Sequence, residues 1–229
     1  MDKKYYAIIT AGGSGARMGG KISKQFQEIG GKPILVHTIN NFLSLSVKPE
    51  IILVLPEGLR DYWNRYCLEN NLVFRHTAVN GGITRFHSVK NALKYVKKGG
   101  IVAIHDGVRP FATPQFIEQM YSLGERFPAV IPVVKTPDSV RRVVDGENYI
   151  VNREELVLVQ TPQIFDSTVL LDAYNCAYKP GFTDDASVVE AAGTKITIAD
   201  GLKTNIKITE PLDLVIAEAI LNASSQMSV

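Results

Sequence analysis

A glycine-rich segment near the start of the chain places two cationic side chains beside a turn suited to phosphate. The segment runs Ala11-Gly-Gly-Ser-Gly-Ala-Arg-Met-Gly-Gly20 and directly follows the apolar run YYAIIT. Glycine lets the backbone approach a phosphate closely, and successive N–H groups form a concavity that binds anions. Arg17 and Lys24 flank this turn. We therefore expect the segment to hold a polyphosphate between backbone amides and fixed positive charge.

The spacing of this segment differs from two common nucleotide-binding loops. The dinucleotide pattern GxGxxG would need glycine at position 18, which is Met18. The P-loop pattern fits from Gly15 to Lys21, but Ile22 stands where a magnesium-binding hydroxyl belongs. A P-loop kinase remains a less favoured alternative, since the apolar run before Asp106 is similar to a Walker B strand. Such a kinase would release ADP.

Asp106 ends an apolar run, IVAIHD, and is the clearest candidate for binding a metal. A carboxylate that faces a polyphosphate requires a hard cation between them, so Mg²⁺ is the predicted cofactor. Asp106 would bind the metal, its waters or the hydroxyl groups of an acceptor. The alternative is that it caps a turn or a helix. The four histidines have no metal-ligand spacing, although His105 adjoins Asp106.

The glycine-rich segment, followed by SKQF and GGKPIL, is similar to nucleotidyltransferases that join a nucleoside triphosphate to a sugar or polyol phosphate. Five further motifs follow in the order found in the 2-C-methyl-D-erythritol 4-phosphate cytidylyltransferase family: GGITRFHSV (81–89), HDGVRP (105–110), QTPQ (160–163), TDDAS (183–187) and NIKIT (205–209). The chain resembles this family from residue 5 to about residue 219. A ribitol-5-phosphate cytidylyltransferase shares several of these motifs and is the nearest alternative. A non-catalytic nucleotide-binding module is an alternative of another class.

The resemblance implies a set of site residues and a reaction. CMP would pass from CTP to methylerythritol phosphate, releasing pyrophosphate in the non-mevalonate isoprenoid pathway. Arg17 and Lys24 would stabilise the transition state, and Arg153 and Lys207 would hold the acceptor phosphate. The nucleotide would contact Ala11, Gly12, Gly13, Ser14, Gly15, Gly82, Ile83, Arg85 and Ser88. The acceptor would contact Asp106, Arg109, Ser139, Arg153, Thr183 and Lys207.

Two of these positions depart from the family pattern. Ile83 replaces an acidic residue, so a contact through its main chain would survive but a side-chain contact would not. Ser139 stands where the family more often has threonine. The chemistry itself needs no general base, because a phosphate monoester with a second pKa of about 6 is already mostly a dianion at neutral pH. Catalysis should then rest on positioning and fixed positive charge.

The order of predicted elements indicates an α/β fold with a doubly wound, mostly parallel, Rossmann-like sheet. Near-continuous apolar runs predict strands at 5–10, 51–55, 72–77, 101–105, 129–134 and 195–199. Helical periodicity predicts helices at 34–45, 60–70, 84–96, 114–125, 167–177, 184–192 and 210–222. Thr113 and Pro114 form a typical helix start. We expect one nucleotidyltransferase domain over residues 1–229.

Residues 139–151 interrupt the alternation of predicted strands and helices. They are predicted to form a β-hairpin, because Asp145-Gly146 suits a tight turn. An isolated hairpin is marginal in water and must pack on something. It packs either on its own domain or on a second subunit. The resemblance implies the second option: a homodimer in which this arm brings Arg153 to the other subunit's site.

Composition limits the partners. Lysine and arginine total 25 against 23 acidic residues, so the net charge of +2 gives no reason to expect nucleic acid or an anionic membrane as partner. No apolar stretch is long enough to span a bilayer. Cys67 and Cys176 are far apart in sequence and belong to no CxxC pair, so we expect reduced thiols in the core of a cytoplasmic protein.

Overall fold

A computed structural model describes residues 3–13 and 23–226 of the 229-residue chain. The strands within these ranges are β1 (Tyr5–Thr10), β2 (Glu28–Ile29), β3 (Lys32–Pro33), β4 (Glu50–Leu55), β5 (His76–Asn80), β6 (Ile101–Asp106), β7 (Ala129–Lys135), β8 (Val140–Val144), β9 (Glu147–Val151), β10 (Val157–Val159), β11 (Gln163–Asp166) and β12 (Thr197–Asp200). The helices are α1 (Ile34–Leu43), α2 (Arg60–Glu69), α3 (Arg85–Leu93), α4 (Pro114–Gly124), α5 (Ser167–Ala173), α6 (Asp185–Ala191) and α7 (Pro211–Gln226).

Eight strands of the described residues form one mixed sheet in the order β10-β7-β11-β6-β1-β4-β5, and β12 also pairs with β7. Neighbouring strands β6, β1, β4 and β5 are parallel. Strands β10 and β11 run antiparallel to their partners. The predicted α/β class with a mostly parallel sheet is confirmed. The strand order reverses at β1, because β4 and β5 follow on one side of it and β6 pairs with its other side. Open α/β sheets bind ligands at such a point, beyond the carboxyl ends of their strands.

Both faces of the parallel strands are covered, which explains why their sequences are continuously apolar. Ile8 and Ile104 belong to a core cluster on one face, packed with Phe86 of α3. Ile9 and Ala103 belong to the cluster on the opposite face, with Phe42 of α1. Complete burial of an isoleucine side chain contributes roughly 1.5–3 kcal/mol. The central strands therefore form a rigid base for the loops at their carboxyl ends.

The predicted strand at 72–77 is wrong in position, because β5 covers His76–Asn80. Phe74 instead packs against Trp63 of α2, with ring centroids 6.3 Å apart, and Val73 is 95% exposed. Aromatic packing against the helix thus accounts for apolar residues in this loop. The predicted helix at 84–96 ends at Leu93, with Thr84 as its N-cap. The predicted helix at 167–177 ends at Ala173.

The predicted β-hairpin is confirmed as β8 and β9. Asp145 and Gly146 have φ angles of +49° and +84°, the left-handed conformation that a tight two-residue turn requires. The hairpin forms a separate two-stranded sheet. Its side chains Val143, Tyr149 and Ile150 are exposed. The prediction that this arm pairs with a second subunit stays a prediction.

Cys67 and Cys176 are unpaired, as predicted, but both are half-buried at the edges of the core clusters. Over residues 3–13 and 23–226, we find no helix with the length and apolar character needed to cross a bilayer.

Candidate active site

A cavity of about 520 Å³ opens at the carboxyl ends of β1 and β6. It contains predicted nucleotide residues from two loops and predicted acceptor residues from two others. Its walls are formed by Thr10, Ala11, Gly12, Gly13, Lys24, Gln25, Gly82, Ile83, Thr84, Arg85, Ser88, Asp106, Val108 and Lys207. The fold therefore brings together residues that lie up to 197 positions apart in the sequence, from Thr10 to Lys207. Ser14, Gly15 and Arg17 lie outside the described residues.

One wall is made of closely packed backbone. Ser88 Oγ accepts a hydrogen bond from the Gly82 amide and donates one to the Thr84 carbonyl, each at 3.0 Å. A Cβ atom on Gly12 would lie 3.4 Å from the same hydroxyl, and one on Gly82 would lie only 2.5 Å from His87 Cβ. The two glycine turns thus face each other with little space for side chains. Ile83 is 96% exposed, so its side chain has no internal contact that holds it.

Lys24 lies in a short 3₁₀ turn, Lys24–Phe26, and lines the cavity. The following Phe26 is buried against the rings of Tyr62 and Trp63 of α2, with centroids 4.8 and 6.2 Å away. Trp63 itself is fully buried. This packing fixes the turn and so the position from which Lys24 reaches the cavity.

Asp106 is the electrostatic centre of the site. Its Oδ2 lies 3.0 Å from Lys207 Nζ and 3.3 Å from Arg109 Nε, and its Oδ1 lies 3.7 Å from Arg85 Nε. Burial alone raises the pKa of this carboxyl, but the three cations outweigh burial and hold the pKa well below its ordinary range. Asp106 is thus ionised, and the cluster as a whole keeps an excess of positive charge.

Asp106 lies on the wall that two cavities share. A second cavity of about 260 Å³ adjoins the first and shares with it Arg85, Asp106 and Lys207. Its remaining walls are Arg109, Val159, Gln160, Thr161, Gln163, Thr183 and Asp184. The predicted acceptor residues Arg109 and Thr183 therefore lie in the smaller cavity, whereas the predicted nucleotide loops line the larger one.

Buried hydrogen bonds hold the loop that carries Asp106 and Arg109. Thr161 Oγ1 accepts from the Asp106 amide at 3.0 Å and lies 3.0 Å from His105 Nδ1. The other ring nitrogen of His105 lies 3.0 Å from the carbonyl oxygen of Arg109. Complete burial lowers the pKa of His105 to about 4. His105 is therefore neutral at neutral pH, and both of its ring nitrogens face protein groups that hold this loop.

The NIKIT segment is attached to the same loop. Arg109 Nη1 donates to the Asn205 carbonyl at 2.8 Å, and the buried Asn205 side chain donates to the Thr161 carbonyl at 2.8 Å. The Ile208 amide also donates to the Val108 carbonyl at 3.0 Å. These bonds position Lys207 between the two cavities.

Arg153 and Ser139 are not brought to these cavities within the chain. Both are exposed near the base of the hairpin arm. Arg153 Nη1 donates to the Pro137 carbonyl at 2.6 Å, and its Nε lies 3.7 Å from Glu154. This arrangement within one chain does not test the predicted role of Arg153 in the other subunit's site.

The sequence alone indicates no role in the site for Thr10, Thr161, Gln163 or Asp185. Three of them nevertheless lie in the motifs named above, Thr161 and Gln163 in QTPQ and Asp185 in TDDAS.

The side chains around Asp106 limit how the predicted Mg²⁺ could bind. In residues 3–13 and 23–226, no three histidine, cysteine, aspartate or glutamate side chains cluster as a metal site. Magnesium commonly binds one or two carboxylates together with substrate phosphates and water. The single carboxylate of Asp106, open to the cavity that holds Lys24, fits that kind of site and does not fit a cage made wholly of protein ligands.

Comparison with known proteins agrees with this geometry. The family model described as IspD, 2-C-methyl-D-erythritol 4-phosphate cytidylyltransferase, matches residues 5–223. The chain belongs to this family. The protein of that name from Bacteroides thetaiotaomicron is 48% identical over 218 residues, covering 95% of this chain and 100% of that protein. The one from Phocaeicola vulgatus is 46% identical, covering 94% and 99%.

Solved structures of the family share the fold. The 4-diphosphocytidyl-2C-methyl-D-erythritol synthase from Anaerococcus prevotii superimposes with a TM-score of 0.82 at 29% identity, covering 96% of each chain. Membership in this nucleotidyltransferase family confirms the main prediction over the P-loop kinase and the non-catalytic module. The relatives named above carry the methylerythritol name and not the ribitol one.

Proposed function

We propose that this chain transfers CMP from CTP to 2-C-methyl-D-erythritol 4-phosphate, giving 4-diphosphocytidyl-2-C-methyl-D-erythritol and pyrophosphate. The observation that carries the proposal is the cation cluster around Asp106 at the wall common to two cavities. A reaction between two anionic substrates needs such a meeting point, because their mutual repulsion must be offset where the new bond forms.

The step is an in-line displacement at phosphorus. An oxygen of the acceptor phosphate attacks the α-phosphorus of CTP and forms the new P–O bond. The bond from the α-phosphorus to the bridging oxygen breaks, and pyrophosphate leaves with that electron pair. The attacking phosphate is already mostly a dianion at neutral pH, so no side chain has to remove a proton. Catalysis is then positioning and charge stabilisation.

Lys24 and Arg17 are proposed to stabilise the charge that develops on the phosphoryl oxygens. Lys24 lines the larger cavity on a turn fixed by aromatic packing. Arg17 is assigned from its position in the glycine-rich segment. The backbone of Ala11–Gly13 with Ser14 and Gly15, and the turn with Gly82, Ile83, Arg85 and Ser88, are proposed to bind the nucleotide. The close approach of Gly12 to Ser88 supports contact through main-chain atoms.

The acceptor is proposed to bind in the smaller cavity. Lys207 and Arg109 face it as cations, Thr183 offers a hydroxyl, and Asp106 can accept from the acceptor's hydroxyl groups. Asp106 would also hold Mg²⁺, which when bound neutralises charge on the triphosphate. Arg109 is fixed through its bond to the Asn205 carbonyl, so it presents a preset direction to the acceptor.

A homodimer formed through the hairpin arm is part of the proposal. The arm and the adjoining β10 expose a set of apolar side chains: Val143, Val144, Tyr149, Ile150, Val157, Leu158 and Val159. Apolar surface of this extent on a two-stranded ribbon supports burial against a second copy. Arg153, at the base of the arm, would then reach the partner's acceptor together with Ser139. The two unpaired cysteines support a reducing, cytoplasmic location.

The test is pyrophosphate release from CTP by the purified protein with each acceptor in turn. We expect release with methylerythritol phosphate in the presence of Mg²⁺ and much less with ribitol 5-phosphate. Asp106→Ala is the matched inactive control, because it removes the carboxylate between the cavities. Faster turnover of ribitol 5-phosphate, or formation of ADP from ATP, would contradict the proposal.

A further inference from the structure

A buried carboxylate outside the proposed machinery makes the shortest contact to Arg85. Asp185 is the first residue of α6 and is fully buried. Its Oδ2 lies 2.6 Å from Arg85 Nη2 and has no other hydrogen-bond partner among the described residues. Its Oδ1 accepts a hydrogen bond from Tyr174 at 2.6 Å. Asp185 is therefore held firmly on one side and directed at the guanidinium on the other.

Arg85 is divided between two carboxylates. Its Nη2 is 2.6 Å from Asp185, whereas its Nε is 3.7 Å from Asp106 Oδ1. The difference of 1.1 Å shows that Asp185 is the main partner and that Asp106 makes only a longer electrostatic contact. Lys207, by contrast, approaches Asp106 to 3.0 Å. Arg85 therefore lies closer to Asp185 than to Asp106, the carboxylate at the centre of the site.

The surrounding packing maintains this arrangement. Phe86, next to Arg85, stacks on Tyr174 with centroids 4.8 Å apart and an interplanar angle of 15°. Gln163 joins the same unit, because its side chain donates to Asp184 at 2.7 Å and accepts from the Ala186 amide at 3.0 Å. The TDDAS segment is therefore bound to β11 and α3 and has a fixed distance from Arg85.

We propose that Asp185 is a positioning residue that holds Arg85 away from Asp106, so that Asp106 stays available to Mg²⁺ and the acceptor. This inference rests on the proposed function. Without the charge of Asp185, Arg85 is drawn towards Asp106, since the attraction between opposite charges rises as they approach. A bidentate arginine–carboxylate pair would then occupy the oxygens that the acceptor and metal use.

The pKa of Arg85 agrees with this division of charge. Burial alone lowers the pKa of the guanidinium, but Asp185, and to a smaller extent Asp106, raise it above its ordinary value. Asp185 is thus the carboxylate that interacts most strongly with the half-buried guanidinium.

A double-mutant cycle tests the proposal. Asp185→Asn, Arg85→Met and the double variant are compared with the wild type for kcat, the KM of methylerythritol phosphate and the Mg²⁺ concentration at half-maximal rate. Calorimetric titration without turnover measures the Kd of methylerythritol phosphate for each variant, and this Kd should change in parallel with the KM. We expect Asp185→Asn to raise the acceptor KM and the Mg²⁺ requirement at least tenfold. In the Arg85→Met background the same change should alter neither by more than twofold. Equal losses in both backgrounds would show a structural role and overturn the proposal.

Two further variants keep the test decisive. Asp172→Asn is the matched control, because Asp172 also makes a 2.6 Å ion pair, with Lys98, but at an exposed site that lines neither cavity. It should leave all three parameters within twofold of wild type. If Asp185→Asn does not fold, Asp185→Glu keeps the charge and changes its reach. We expect at least a threefold rise in acceptor KM, and wild-type values would overturn the proposal.

The wild type separates this inference from the proposed function. A wild-type protein that releases no pyrophosphate with methylerythritol phosphate contradicts the proposed function and with it the inference. The inference alone is contradicted if the wild type is active but the effects of Asp185→Asn and Arg85→Met on the acceptor KM and the Mg²⁺ requirement are simply additive.

Discussion

Thr10 and Asp106 are direct register partners at the carboxyl ends of neighbouring parallel strands, and the Thr10 hydroxyl lies 3.5 Å from Asp106 Oδ1. The same hydroxyl donates to the His105 carbonyl at 3.2 Å. The last residue of β1 thus touches the last residue of β6 just where the glycine-rich segment begins. Strand pairing alone therefore sets the start of the turn proposed to bind phosphate beside the carboxylate proposed to bind Mg²⁺.

Lys24→Ala should lower kcat by about 100-fold or more, because a lost charge contact to the transition state has this effect. The KM values for both substrates should change much less. Lys195→Ala, at an exposed position that lines neither cavity, is the control and should retain full activity. Steady-state kinetics of pyrophosphate release measure both variants. A normal kcat for Lys24→Ala would refute its assigned role.

Asp106→Asn should raise the Mg²⁺ concentration needed for half-maximal rate and lower kcat by about 100-fold or more. The amide keeps the shape of the carboxylate, but it removes the negative charge that faces Arg85, Arg109 and Lys207. Titration with Mg²⁺ at saturating substrates measures the effect. An unchanged Mg²⁺ dependence would place the metal elsewhere.

Gly82→Ala should raise the KM for CTP and destabilise the protein by about 1–3 kcal/mol, the usual range for overpacking. Its Cβ would meet His87 Cβ at 2.5 Å and push the turn out of place. Gly181→Ala is the matched control, since its Cβ would meet nothing within 4 Å and its backbone has no positive φ. Denaturant unfolding and CTP kinetics would compare the two, and equal behaviour would contradict a packed nucleotide wall.

Acid should weaken the fold through His105. Burial lowers its pKa to about 4, from about 6.5 in an unfolded chain. Below pH 6.5 the unfolded chain binds a proton that the native state does not bind until about pH 4. Stability is thus full above pH 6.5 and falls by up to about 3 kcal/mol as the pH drops to 4. Asp106, whose pKa is lowered, stabilises the fold throughout this window and loses that contribution only as the pH falls below about 4, the ordinary pKa of an unfolded aspartate. Unfolding free energies of wild type and His105→Gln should differ in slope within this window, and parallel slopes would contradict the assignment.

Ile150→Asp should shift the protein from dimer to monomer in light scattering coupled to gel filtration. Ile150 is 84% exposed on β9, so its change to aspartate does not disturb the core of the chain. Val73→Asp, at an equally exposed site in a loop, should leave the dimer intact. Deleting residues 139–151 should abolish both the dimer and turnover. A fully active monomer would show that the arm does not complete the site.

Much of the fold could be predicted because local rules and the tertiary structure agree. Continuously apolar runs predicted the parallel strands β1, β4 and β6, and Asp145-Gly146 predicted the hairpin turn. The start of α4 followed from Thr113, whose hydroxyl accepts from the Phe116 amide. Strand β11 escaped prediction, since four residues inserted antiparallel between β6 and β7 leave no periodic signal.

The sequence indicated candidate site residues but not the contacts that connect them. The apolar run before Asp106 indicated its place at the sheet edge, yet nothing in the sequence paired it with Thr10. Asp185 lies in the TDDAS motif, but the motif alone indicates no role for it, because its importance depends on a contact with Arg85, 100 positions away in the sequence. Such long-range pairing depends on strand order and helix packing, which composition and spacing do not encode.

The shared wall of Arg85, Asp106 and Lys207 has a practical consequence for inhibitor design. Because these three residues line both cavities, a single compound could join a cytidine fragment to a polyol phosphate fragment through a short tether. Binding of the first fragment would present the second at a high effective concentration, so the linked compound should bind far more tightly than either fragment alone.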